Sequence, residues 1–204
     1  MIANVYVDGM NLFYGCLKGS NYKWLDLVAL SRALLPHDEI KTVRYFTAKV
    51  MTNPRHPHRD TRQDQYLRAL GTLPEVAIHL GHFRRDRVRM PVANPPPNTI
   101  EVFKTEEKGT DVNLGAHLMR DAYLQQCEKQ LVITNDSDLE EPIRLVRQDV
   151  RMPVGIVNPH AGWRRTPRLT GDFYRYIRPS ALSASQLPTV LKDATGPITK
   201  PLGW

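Results

Sequence analysis

The stretch "LVITNDSDLEEPI", residues 131–143, decides how this chain is read. Leu131-Val132-Ile133 is an apolar run of strand character, and Asn135-Asp136-Ser137-Asp138 is where such a strand ends. Leu139, Ile143 and Val146 then continue at helical spacing, so Asp136 and Asp138 fall at a strand-to-helix turn. Helix capping and first-turn acid account for one aspartate well and for two only in part. The rest of the chain has to separate a cap from a site.

Working outward, strand and helix patterns alternate. Ile2 to Val7 reads as a strand ending at Asp8, Asn11 to Leu17 as a short helix, and Leu25 to Leu35 as a clearer helix. Lys41 to Val50 and Val76 to Phe83 read as strands, with a helix over Asp60 to Leu70 between them. Arg84 to Asn98, with "NPPPN", reads as an irregular excursion. Ile100 to Thr105 is a strand candidate, and Thr110 an N-cap for a helix through about Gln125. Val154 to Val157 and Phe173 to Ile177 are strand-like, and the tail rich in Pro, Ser and Thr reads as loosely held. Such alternation predicts an α/β fold with a parallel sheet covered on both faces. In these sheets functional groups gather at the carboxyl ends of the strands.

Three segments put an aspartate at or just after a strand end: "VYVDGMNL" with Asp8, "EKGTDVNL" with Asp111, and "VITNDSDL" with Asp136 and Asp138. Four carboxylates converging on one rim would repel one another unless cations offset them, and hard oxygen ligands suit Mg²⁺ or Mn²⁺.

In order and spacing, "VDGMNL", "KGTDVNLGAHL" and "VITNDSDLEEPI" resemble the motifs of the NYN domain family, a branch of the PIN-like nucleases. The resemblance covers roughly residues 1–160 as a catalytic domain. Residues 161–204 are left as a C-terminal extension that packs on it or trails from it. It implies a Rossmann-like (PIN-like) parallel sheet flanked by helices and a metal-dependent endoribonuclease acting on RNA, single-stranded RNA above all. Carried over motif by motif, Asp8, Asp111, Asp136 and Asp138 are the metal-binding acids, with Asn11 beside them as a catalytic residue. On this reading Asp8 and Asp136 ligate Mg²⁺ or Mn²⁺ directly, while Asp111 and Asp138 hold metal-bound waters or a second ion. The alternative is an RNA-binding regulatory module with little or no turnover.

The charge balance agrees with a polyanionic partner. The formal net charge is +7, and the sequence pI is about 9.5. Arg84, Arg85, Arg87 and Arg89 crowd one segment and, with Lys108, are the candidate phosphate contacts; Arg164, Arg165 and Arg168 form a second group. Tyr14, Tyr22 and Trp24 are candidates for base stacking or for core packing. A dinucleotide enzyme is disfavoured by the absence of GxGxxG, and an aspartyl-nucleophile phosphohydrolase by Met10 where a second acid belongs. His56 with His58, and His79 with His82, have no cysteine or carboxylate partner at zinc spacing. Two cysteines far apart, no long apolar run and no signal-peptide pattern point to a cytoplasmic protein off the membrane. Homo-oligomerisation stays open.

Overall fold

Val5, Tyr6 and Val7 suit a pleated surface buried on both sides, and they lie in β1 (Ile2–Asp8). The computed structural model describes residues 1–51, 58–94, 98–160 and 168–204. After β1 come α1 (Gly9–Leu12), running into a π-helical turn over Phe13–Leu17, then α2 (Leu27–Leu34) and β2 (Glu39–Ala48). Next are α3 (Arg59–Leu70), β3 (Val76–Pro91), β4 (Thr99–Lys108) and α4 (Thr110–Tyr123). β5 (Lys129–Ile133) leads through a 3-10 turn at Ser137–Leu139 into α5 (Glu140–Leu145), and β6 (Val154–Val157) follows. The chain closes with β7 (Phe173–Arg175), α6 (Pro179–Ala184), β8 (Val190–Asp193) and β9 (Gly196–Thr199).

Seven strands form one sheet in the order β4-β3-β2-β1-β5-β6-β7, and β8 pairs with β9 in a separate ribbon. Every neighbouring pair in the large sheet is parallel except β3 with β4. This is the expected α/β, Rossmann-like architecture. The chain leaves β1 toward β2 on one side, and β5 occupies the other side, so the strand order reverses between β1 and β5. The crevice at their carboxyl ends is the switch point where such sheets place ligands.

The period-2 alternation of β1 sorts its side chains between two cores. Ala3, Val5 and Val7 face a cluster built with α2, α3 and the C-terminal residues Leu182, Leu187 and Ile198. Tyr6 faces a second cluster with Leu114 and Leu118 of α4 and Ile143 of α5. Asp8 is two residues beyond Tyr6, so its side chain emerges on the α4 side, at the rim.

Three expectations need correction. Arg84 to Pro91 is not irregular: β3 runs on beyond the parallel sheet and pairs antiparallel with β4, from His82 opposite Lys108 to Pro91 opposite Thr99. Cross-strand partners supply the order that local composition does not; Pro95, Pro96 and Pro97 lie outside the described residues. Thr110 is not the cap of α4. Gly109 holds that place with φ 92°, a left-handed conformation that suits glycine, and the Thr110 hydroxyl bonds Glu107 instead. The tail is knit in: the Trp204 ring lies 6.3 Å from Trp24, and Arg68 bonds Asp193 at 2.8 and 2.9 Å.

Candidate functional site

The β1 turn holds Asp8 almost fully buried, 4 % exposed. One carboxylate oxygen accepts from the Asn11 amide at 2.9 Å, which caps α1, and the other from the Thr134 hydroxyl at 2.8 Å. Thr134 follows β5 immediately, so this bond ties the two strand ends at the switch point together. Asp136 is likewise a cap, accepting from the Asp138 amide at 3.1 Å. Capping therefore accounts for the position of two aspartates and for neither their number nor their convergence.

Asp111, in the first turn of α4, completes the rim. Its carboxyl is pushed up to about 6, first by burial and then by the charges of Asp8, Asp136, Glu107 and Asp138. Asp8 is raised as well, by burial above all and partly by Asp136, against the pull of its own hydrogen bonds. The structure thus brings Asp8, Asp111, Asp136 and Asp138 into mutual electrostatic range. Among the described residues none of the four makes an ion pair.

Asn11 Oδ1 accepts from the Asn135 amide at 3.1 Å and lies 3.0 Å from His160 Nε2. With Oδ1 as acceptor, the geometry assigns the proton to Nε2. His160 is a rim residue that sequence reasoning missed: it lies three residues beyond Val157, the end of β6, on the carboxyl edge where Asp8 ends β1, and that shared edge was the available signal.

Lys108 is committed to Glu106 at 2.9 Å. Arg84, Arg85, Arg87 and Arg89 lie along the β3/β4 ribbon, which leaves the rim outward for roughly 30 Å at about 3.3 Å per residue. They are interleaved with acids and an aromatic: Arg84 bonds Asp86 at 2.8 Å, Arg87 reaches Glu101 at 4.0 Å, and Arg85 lies 4.0 Å from the centre of Phe103. Arg164 and Arg165 lie outside the described residues. Trp24 is a core residue, whereas Tyr14 is exposed beside the β1 turn.

No family model matches the chain. It is similar to the 6-hydroxy-3-succinoylpyridine 3-monooxygenase of Pseudomonas putida, at 29 % identity over 98 % of this chain and 74 % of that protein. It is also similar in structure to a protein of unknown function from Vibrio parahaemolyticus, with a TM-score of 0.52 and 14 % identity over 91 % of this chain and 96 % of that one. The second likeness supports the fold alone.

The first likeness overturns the expected function. A relative named as a monooxygenase, matched along nearly the whole chain, points to an oxidoreductase; it displaces the metal-dependent endoribonuclease, and the RNA-binding regulatory module that stood as its alternative. The Mg²⁺ or Mn²⁺ expectation falls with them. Among the described residues no group of three or more His, Cys, Asp or Glu side chains is disposed to hold a metal ion. Both Asp8 oxygens and one Asp136 oxygen accept from donors of the chain itself, so these two side chains are placed by turn and strand-end contacts. No helix among the described residues is long and apolar enough to cross a membrane.

Proposed function

We propose that the chain is an oxidoreductase of the monooxygenase type that hydroxylates an aromatic substrate at the rim between β1 and β5. The observation that carries this reading is the likeness to the Pseudomonas putida monooxygenase over 98 % of the chain. We also keep kinship with the NYN domain family as a proposal about descent, supported by the three ordered motifs and separate from nuclease activity.

Hydroxylation at a ring carbon that carries hydrogen converts Ar–H, dioxygen, two electrons and two protons into Ar–OH and water. The electrons have to come from a donor. A phosphate-bearing redox cofactor does not fit the strand-end cradle, because its phosphates would meet Asp8, Asp111, Asp136 and Asp138, none of which is ion-paired among the described residues.

The residues of the chain supply proton handling. A carboxyl near pH 6, as at Asp111, is a stronger base than an ordinary aspartate and is still ionised at neutral pH. It suits removal of a proton from a ring hydroxyl, which raises electron density at the adjacent ring carbons and prepares them for oxygenation. Asp8, deeper and held by two donors, orients the rim. His160, held at Asn11, stands at the same edge to donate or accept a second proton.

The test is isotopic. Purified protein is incubated with 6-hydroxy-3-succinoylpyridine and a panel of hydroxylated aromatic acids, under ¹⁸O₂, with reduced nicotinamide and flavin as the electron source. One ¹⁸O atom in the product is expected. Product labelled only from water, or no product across the panel, would overturn the reading.

A further inference from the structure

We propose that the cleft between the π-helical turn, the start of α3 and Trp204 binds a flat aromatic carboxylate, ring inward and carboxylate at the mouth; the assignment of this ligand as substrate rests on the oxygenase reading. The cleft lies on the α3 face of the sheet and meets the acid rim of the α4 face at the end of β1. Gly9, next to Asp8, lines its wall, and a Cβ there would meet the Phe46 carbonyl and the Tyr45 ring at 2.8 Å. Asp8 also acts electrostatically on the Tyr45 hydroxyl.

The inner part is a box for a ring. Phe13, Leu17, Tyr45, Tyr66 and Trp204 form its walls. The Trp204 and Tyr66 ring centres are 5.6 Å apart, and those of Tyr45 and Tyr66 6.3 Å. Burial pushes the Tyr45 phenol up to about 12, so it stays neutral, and the Tyr66 hydroxyl is spent on the Leu25 carbonyl at 2.8 Å. What these two offer a ligand is mainly ring surface, with few polar groups to fix it, as in most small-molecule pockets.

The outer part has the opposite character. Lys18, Lys23, Arg59 and Arg62 line it together with Tyr14. Phe13, Lys23, Arg59 and Trp204 belong to both parts, so box and mouth are one continuous cleft. Among the described residues none of the four cations makes an ion pair, whereas Arg32, Arg44, Arg68, Arg144 and Arg147 all do. Lys18 lies 4.8 Å from the centre of the Tyr14 ring, Lys23 donates to the Gly203 carbonyl at 3.0 Å, and Arg62 Nε donates to the His58 carbonyl at 3.1 Å. These contacts hold the side chains in place and neutralise none of them. Cations gathered at the mouth of an aromatic box select a small anion with an apolar body. The neighbouring acid rim would repel an extended polyanion.

The probes are 6-hydroxynicotinate and its uncharged amide, with dissociation constants measured by titration calorimetry on the full chain in the absence of any electron donor. The carboxylate is expected to bind at least about tenfold more tightly than the amide, from charge-assisted hydrogen bonds at the mouth. In the double variant Arg59→Gln/Arg62→Gln that preference should disappear while the amide binds as before. Trp204→Ala should weaken both probes. Because these positions are at least partly exposed, circular dichroism and thermal melting will show the variants folded. Equal affinity for acid and amide, an unchanged preference in the double variant, or no binding of either probe by folded protein would overturn the proposal. Failure of the ¹⁸O experiment leaves these constants untouched, so the two readings fail separately.

Discussion

Asp121 and the rim acids, both on the α4 side of the sheet, are treated in opposite ways. Asp121, fully buried, accepts from Arg44 at 2.7 and 3.0 Å, from the Tyr6 hydroxyl at 2.8 Å and from Asn4 at 3.3 Å. Gln130 extends the network by donating to Tyr6 at 3.1 Å. That acid is compensated on every side and joins β1, β2 and α4. At the rim, among the described residues, Asp8 and Asp136 accept from neutral donors and Asp111 feels the charges of Asp8, Asp136 and Asp138. A buried charge that the fold satisfies is structural. A cluster it leaves unsatisfied is held in place against its own repulsion, which is how functional sites are recognised.

The sharpest way to break this contrast is at Asp121. Asp121→Ala leaves Arg44 uncompensated in a part-buried setting, and a loss of about 3–5 kcal/mol in unfolding free energy is expected from urea denaturation. A loss below about 1 kcal/mol would mean that the network does not hold the fold. At the rim the expected signs separate. Asp111→Asn removes repulsion, so stability should hold or rise, while hydroxylation should fall about 10²-fold or more with loss of the base. Loss of stability and activity together would make Asp111 one more structural acid.

Proton linkage sharpens the same point. Asp111 has a folded-state value near 6 and an ordinary one near 3.8 when unfolded, so the folded chain binds more protons between these limits. The stability it contributes is full below the unfolded value and is lost as pH rises through 6. The stability difference between Asp111→Asn and the native chain should therefore shift in favour of the variant from pH 4 to pH 7. Subtraction cancels Asp38 and Asp172, which are depressed by their cationic partners and act with the opposite sign. A flat difference would place the rim acids in ordinary solvent. The smallest effect belongs to the ribbon: replacing Arg84, Arg85, Arg87 and Arg89 by Ala should change stability by less than about 0.5 kcal/mol, because exposed charges contribute little.

Legibility in the sequence followed the range of the interactions. The motif around Asp136 showed its turn because an apolar run, an acid and a helical repeat all act within a dozen residues. β6, over Val154–Val157, was readable to the residue for the same reason. The ribbon was not, since Arg84 to Pro91 is ordered by partners from Thr99 onward, and only pairing turns alternating charge into a strand. Asp121 gave no sign at all: its partners Asn4, Tyr6 and Arg44 lie 77 to 117 residues away.

By itself the sequence determined the α/β alternation, the carboxyl-end placement of four aspartates and the basic charge, because period, turn chemistry and composition are local properties. It did not determine what the aspartates do. Only the tertiary structure decided which acid meets a cation and which meets another acid. It also decided that Trp204 closes over Tyr66 and that Lys18, Lys23, Arg59 and Arg62 share one mouth. Electrostatic energy and cavity shape depend on distances between residues remote in the chain, and folding alone sets those distances.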